Sequence, residues 1–236
     1  GIGNFIITNR EYDTMKIVEL EKITNEEIEN ILSRKAISLS NLLPKVTSIF
    51  EDIKINGNKA LKKISKELDK NSREELKISE EELNLAAQKI SDTLKNSIDQ
   101  AYENIWKFHL LQKPEGYSIE IQKGVNCSRK SIPIENVGLY IPGGTAVLFS
   151  TLLMLAIPAK IAGCKRIVVT SPMAGKEVNP ALAYTAIKCG INEFYSVGGI
   201  QAIAMFALGT EKIKKVDKIF GPGNRYVTAA KVLLPI

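Results

Sequence analysis

Histidine is almost absent from this chain: one in 236 residues, His109, beside three widely spaced cysteines, Cys127, Cys164 and Cys189. A typical zinc site cannot be assembled from that set. The cysteines form no CxxC and no disulfide ladder, so a reducing, cytoplasmic setting is expected. Cys164 and Cys189, each next to glycine or lysine after an apolar helix, read as small buried hydrophobes rather than nucleophiles. Aromatic residues make up only 6% of the sequence. None interleaves with a basic run, so no stacking groove is seen and no nucleic-acid partner is expected. The net charge of +6 comes from lysines spread among glutamates, as in KKISKELDKNSREELK at 62–77. Such a run is a solvated helical face. No apolar run is long enough to span a membrane: the stretch 146–162 is short and carries Pro158 and Lys160. No leader sequence is recognisable. There is no G-x-G-x-x-G fingerprint and no nucleophilic triad. The glycine-rich half holds no paired carboxylates. His109, in IWKFHLL, reads as a core or half-exposed helical residue. No catalytic residue and no metal ligand is therefore assigned.

What is present divides into two halves. Residues 1–134 are polar, lysine-rich and helical in pattern, ending in a hairpin. Thr24 with Glu27 makes a capping box before IENILSRKA at 28–36. A helix is predicted over 39–57, closing at Gly57, and another over 58–70. Ser79 with Glu82 caps one long predicted helix over 80–112, ended by Pro114. Around Gly124, YSIEIQKGVNCSRKSIPI alternates apolar and polar residues, which predicts a β-hairpin. Residues 135–236 alternate strands with short helices. Strands are predicted at 137–141, 166–170, 193–197 and 217–220, with helices near 148–162, 179–189 and 200–208. This predicts an α/β fold: a Rossmann-like, mainly parallel sheet domain at 135–236. It is preceded by the helical segment and hairpin of 1–134, read as part of an incomplete domain. The apolar VLLPI at 232–236 has no closing strand or polar cap after it, so the chain is expected to end early.

Four glycine or proline turns follow the predicted strands: Pro142-Gly143-Gly144, Ser171-Pro172, Gly198-Gly199 and Gly221-Pro222-Gly223. All four belong at the carboxyl edge of the sheet, where helix N-termini offer free N–H groups suited to phosphate. Each turn by itself reads first as a plain tight turn; it is four at one edge that point to a ligand. Beside them stand Tyr140, Gln201 and Asn224. A tyrosine can stack on or hydrogen-bond a base or ribose, and Gln and Asn offer paired donors and acceptors. That mix suits a nicotinamide nucleotide. Two plainer readings stay open: Tyr140 as a half-buried strand residue and Asn224 as an N-cap.

From about residue 50 onward the sequence resembles histidinol dehydrogenase. The resemblance is carried by NGNKALKKISKELDK, ENIWKFHLLQ, VGLYIPGG, LLMLAIPAKIAGCKRIVVTSP, VGGIQAIAMFALGT and FGPGNRYVTAAK, in the family's order. It implies an NAD-dependent enzyme of histidine biosynthesis that oxidises L-histidinol through an aldehyde to L-histidine, with a zinc ion holding the substrate. By the same resemblance Tyr140, Gln201 and Asn224 match the family's NAD-binding residues, and Pro142 and Pro172 line the same cleft. A homodimer is implied for the full-length family. One departure is Leu68, before Asp69, where the family usually carries an aromatic residue. The family's zinc ligands, substrate-binding residues and proton-moving Glu-His pair lie beyond the equivalent of Ile236. The resemblance therefore implies that these 236 residues alone do not turn over histidinol. The alternative is a shortened, non-catalytic nucleotide-binding or regulatory protein.

Overall fold

The computed structural model describes residues 5–8, 15–18, 22–33, 39–143 and 148–234. It divides into two units, residues 1–38 and 39–236. In the first, β1 (Phe5–Thr8) pairs antiparallel with β2 (Met15–Val18), and α1 spans Asn25–Leu32. The expected capping box is formed: Glu27 N–H donates to Thr24 Oγ1 at 3.2 Å, and Thr24 N–H donates to Glu27 Oε2 at 2.8 Å. The helix stops at Leu32, four residues short of the predicted end, and residues 34–38 lie outside the described set.

The second unit is built on one five-stranded sheet. Its strands are β3 (Lys77–Ile78), β6 (Asn136–Tyr140), β7 (Arg166–Thr170), β8 (Glu193–Tyr195) and β9 (Lys218–Phe220), in the order β3-β8-β7-β6-β9. The last four run parallel and β3 is antiparallel to β8. A parallel sheet must be covered on both faces, and the residues comply. Val137, Leu139 and Val169 point into one cluster, walled by α3 (Glu80–Ala87), α4 (Asp92–Leu110), α5 (Phe149–Ala162) and α6 (Pro180–Lys188). Tyr140 and Val168 point into the other, walled by α2 (Leu43–Leu68), α7 (Gly199–Leu208) and α8 (Arg225–Val232). Truncating a fully buried side chain of these clusters, such as Leu153 or Ile203, removes packing worth about 2–5 kcal/mol.

One predicted pair of helices holds, and one predicted helix needs correction. The two helices predicted over 39–57 and 58–70 are both present: α2 (Leu43–Leu68) is two helical segments meeting at a kink at Gly57, whose φ of 52° and ψ of −131° are non-helical. The bend frees the N–H of Asn58, which donates to both oxygens of Glu211 at 3.2 and 3.0 Å, so a distant carboxylate caps the second half. Conversely, the single helix predicted over 80–112 is two, α3 and α4. Ser91 starts α4 as its N-cap, accepting from Leu94 N–H. The break at 88–91 lets α3 pack on α6 and α4 on α5. Strand β3, two residues long, carries too little alternation to be read from sequence.

The hairpin forms as expected, with β4 (Tyr117–Gln122) paired antiparallel to β5 (Val125–Arg129). Every residue of both strands is exposed. Among the described residues, no helix is long and apolar enough to cross a membrane.

Candidate functional site

Strands β6, β7 and β8 step outward in one direction, and β9 returns to the other side of β6. The order therefore reverses between β6 and β9, and a crevice opens there at the carboxyl ends of the strands. The loops after all four parallel strands meet at that edge. They bring Tyr140, Pro142, Pro172, Gln201 and Asn224, the five residues singled out from sequence, into one cleft. Its cavity is about 370 Å³, at the small end of ligand clefts, which run from about 300 to 1,000 Å³. Gly143 lies in the wall as well, while Gly144 is outside the described residues. The far wall is supplied by α2 through Lys45, Leu68 and Asp69, and by Tyr226 of α8.

Tyr140 ends β6 with its ring buried, so the half-buried strand reading is too mild. Its hydroxyl accepts the N–H of Gly199 at 3.2 Å, tying the β6 edge to the start of α7. Burial pushes the phenol pKa up; the Gly199 N–H opposes this and the nearby Asp69 charge adds to it. Gln201 sits in the first turn of α7 and is fully buried. Its Nε2 donates to Asp69 Oδ2 at 3.0 Å, while its Oε1 has no hydrogen-bond partner. Asn224 is the N-cap of α8: its Oδ1 accepts from Tyr226 N–H at 3.0 Å and Val227 N–H at 3.2 Å. The cap reading is correct, and it leaves the amide nitrogen at the exposed rim of the cleft.

Asp69, at the C-cap of α2, is the residue that sequence reasoning missed. Its Oδ2 accepts both Gln201 Nε2 and the N–H of Gly198, the latter at 2.9 Å. Burial raises its pKa, and the two donors pull the other way. The close approach depends on Gly198, because a Cβ there would collide with Pro172 and come within 2.9 Å of Asp69 Oδ1. Lys45 adds a positive charge at the rim, with its Nζ 5.5 Å from the Tyr226 ring centroid. Leu68 is exposed beside the cleft, an apolar side chain with no ring to stack on a ligand. The arrangement offers a partly apolar cleft with acceptors at its α7 end.

His109, Cys164 and Cys189 are not among the residues that line this cleft. His109 is half-exposed on α4, with Nδ1 2.7 Å from Gln112 Oε1. Cys189 is buried and its thiol is pushed up to about 12, so it is held protonated. Among the described residues, no three His, Cys, Asp or Glu side chains gather where they could hold a metal ion.

A sequence profile described as "Histidinol dehydrogenase" matches residues 32–235. The chain belongs to the histidinol dehydrogenase family. It is 47% identical over 218 residues to the histidinol dehydrogenase of Mannheimia succiniciproducens, covering 92% of this chain and 50% of that protein. With the enzyme of Buchnera aphidicola it shares 46% over 217 residues, 92% of this chain and 49% of the other. A crystal structure of histidinol dehydrogenase from Elizabethkingia anophelis superimposes with a TM-score of 0.80 at 47% identity, covering 90% of this chain and 49% of that one. The chain thus spans about half the length of the curated relatives it matches.

Proposed function

We propose that this chain is the NAD-binding portion of a histidinol dehydrogenase acting in histidine biosynthesis, and that Tyr140, Pro142, Pro172, Gln201 and Asn224 hold the cofactor. One observation carries the reading. Five residues spread over 85 positions, from Tyr140 to Asn224, line a single cleft at the switch point of a parallel sheet. The residues suit a nicotinamide dinucleotide. Pro142 and Pro172 give the cleft an apolar wall, and the unpartnered Gln201 Oε1 is an acceptor in need of a donor such as an amide or hydroxyl. When bound, NAD⁺ supplies the acceptor for the hydride leaving the carbinol carbon of L-histidinol. The chain's own part is binding and orientation. Tyr140 and Asp69 fix the α7 entrance and Gln201, and Asn224 fixes the start of α8.

Zinc does not fit the described residues, which bring no three His, Cys, Asp or Glu side chains together. On this reading the metal, the L-histidinol site and the proton-moving groups belong to the half of the family polypeptide that the chain does not span. Residues 135–236 are read as the Rossmann-like NAD-binding domain, and 1–134 as part of a domain only partly contained here. The intact protein is read as a cytoplasmic homodimer without nucleic-acid or membrane partners.

Calorimetric titration of the 236-residue chain with NAD⁺ tests the reading. Saturable binding is expected, weakened about tenfold or more when Gln201→Ala removes a buried polar contact. Absence of saturable binding by the folded chain overturns it. Adding L-histidinol and zinc to the NAD⁺ complex is expected to give no NADH absorbance, because the cleft's carboxylate, Asp69, is engaged by Gly198 and Gln201 and no metal-binding cluster occurs among the described residues. Steady NADH production would refute the assignment of chemistry to the missing half.

A further inference from the structure

The amino terminus of a helix at the carboxyl edge of a parallel sheet is the usual seat for phosphate, since its N–H groups and positive dipole end favour an anion. In this chain the seat on α7 is already taken. Asp69 places a carboxylate on Gly198 N–H, and Tyr140 places its hydroxyl on Gly199 N–H. The intrahelical ladder begins when Ala202 N–H donates to Gly198 O, so the N–H groups of Ile200 and Gln201 precede it. The Asp69 carboxylate sits at the same helix start, held by Gly198 N–H and Gln201 Nε2. Gln201 adds a second acceptor, its buried and unpartnered Oε1. Its orientation is set by Asp69, because Nε2 must face the carboxylate. Two acceptor side chains and one hydroxyl therefore crowd one corner of the cleft.

We propose that Asp69 is the specificity-determining residue of the cleft: it closes the α7 end to phosphate and selects a ligand that brings a neutral donor there, an amide NH₂ or a sugar hydroxyl. This rests on the nucleotide reading of the site. A dinucleotide then lies with its donor-bearing group against Asp69 and Gln201, and its pyrophosphate on the Lys45 side, where the cleft carries positive charge. Replacing the carboxylate by an amide of the same shape removes the repulsion while the helix dipole and first-turn donors remain. The corner should then accept an anion.

The test uses the 236-residue chain, wild type, Asp69→Asn and Asp69→Glu, each checked for native circular dichroism. NAD⁺ is titrated with and without inorganic pyrophosphate as competitor, and pyrophosphate is titrated alone. In the wild type and Asp69→Glu, millimolar pyrophosphate should leave NAD⁺ bound. In Asp69→Asn, NAD⁺ affinity should fall about tenfold, the scale of one charge-assisted hydrogen bond, and pyrophosphate should now compete. The proposal is overturned if Asp69→Asn binds NAD⁺ within about twofold of wild type. It is equally overturned if pyrophosphate displaces NAD⁺ from the wild type as readily as from the variant. Should NAD⁺ bind neither protein, the nucleotide reading itself fails. Direct pyrophosphate titration still decides this inference, which requires binding that appears only when the carboxylate is removed. If Asp69→Asn does not fold, displacement in the wild type and Asp69→Glu overturns the proposal, and its absence in both supports it.

Discussion

Burial of Gln201 leaves its Oε1 without a partner, a desolvated acceptor that costs about 1–3 kcal/mol until something donates to it. Tyr140 shows the opposite economy, since its hydroxyl satisfies the otherwise orphaned N–H of Gly199. Tyr140→Phe strands that donor. We expect a loss of about 1 kcal/mol in urea unfolding, together with weaker NAD⁺ binding because the α7 entrance loosens. Unchanged stability and affinity would remove Tyr140 from the site. At this scale the sequence was informative wherever a polar residue sits next to a glycine turn, as Tyr140, Gln201 and Asn224 do. It was silent on Asp69. That carboxylate follows an ordinary lysine-rich helix, and its partner Gly198 lies 129 positions further on. No local pattern encodes a contact of that span.

The elements are held by a few long-range polar contacts as well as by their apolar faces. At the bend of α2, Gly57 adopts a φ/ψ that side chains resist, and a Cβ there would run into the Glu211 carboxylate. Gly57→Ala should therefore destabilise the fold by about 1–3 kcal/mol, read as a lowered melting temperature. Glu211→Gln, which keeps an acceptor for Asn58 N–H, should cost less. Between β7 and β8, Arg166 grips Glu193 with two bonds, 2.7 and 2.8 Å, and donates to the carbonyls of Lys214 and Lys215 at 3.1 Å. The Arg166 hydrogen bonds hold the Glu193 carboxyl below its ordinary 4.5, against the opposing effect of burial. A depressed acid stabilises the fold above its unfolded pKa, and that contribution is lost as pH falls through the folded value. The stability deficit of Glu193→Gln relative to wild type should thus be full at pH 7 and shrink below about pH 4.5. A deficit that stays constant down to pH 3 would deny the pair its role. Element type and order were legible for α5, β7, α6 and α7, whose apolar patterns are long or bounded by glycine and proline. The break at 88–91 was not, because Gln88 to Ser91 read as more helix until Ser91 is seen to cap.

For the molecule as a whole, apolar surface is unevenly shared. Tyr117, Ile119 and Ile121 of the hairpin are 61, 56 and 62% exposed, and Ile132 is 77% exposed. A second, largely apolar cavity of about 380 Å³ lies between Ile132, Ile134, Met154, Pro158 and Phe220. Exposed apolar area on this scale drives association. The chain should bind an apolar fluorescent dye when native, and its sedimentation coefficient should rise with concentration. Ile119→Lys with Ile121→Lys should reduce both effects. A monodisperse monomer without dye binding would contradict this. The alternating run of the hairpin was readable as strands, and both strands are exposed. The position of β9 has a further consequence, one of timing. Strand β6 meets its β9 neighbour only after 81 further residues, the span of the Asn136–Asp217 contact. At about 5–20 residues per second, a ribosome needs several seconds to deliver them. Through that interval β7 and β8 can already stack beside β6, while the other side of β6 waits as a bare edge. The cleft is therefore the last part of the sheet to be born. The same separation makes β6–β9 the longer loop to close, so in pulse-labelled refolding of the whole chain amides shared by β7 and β8 should gain protection before those shared by β6 and β9, and the reverse order would place the cleft among the earliest structures to form.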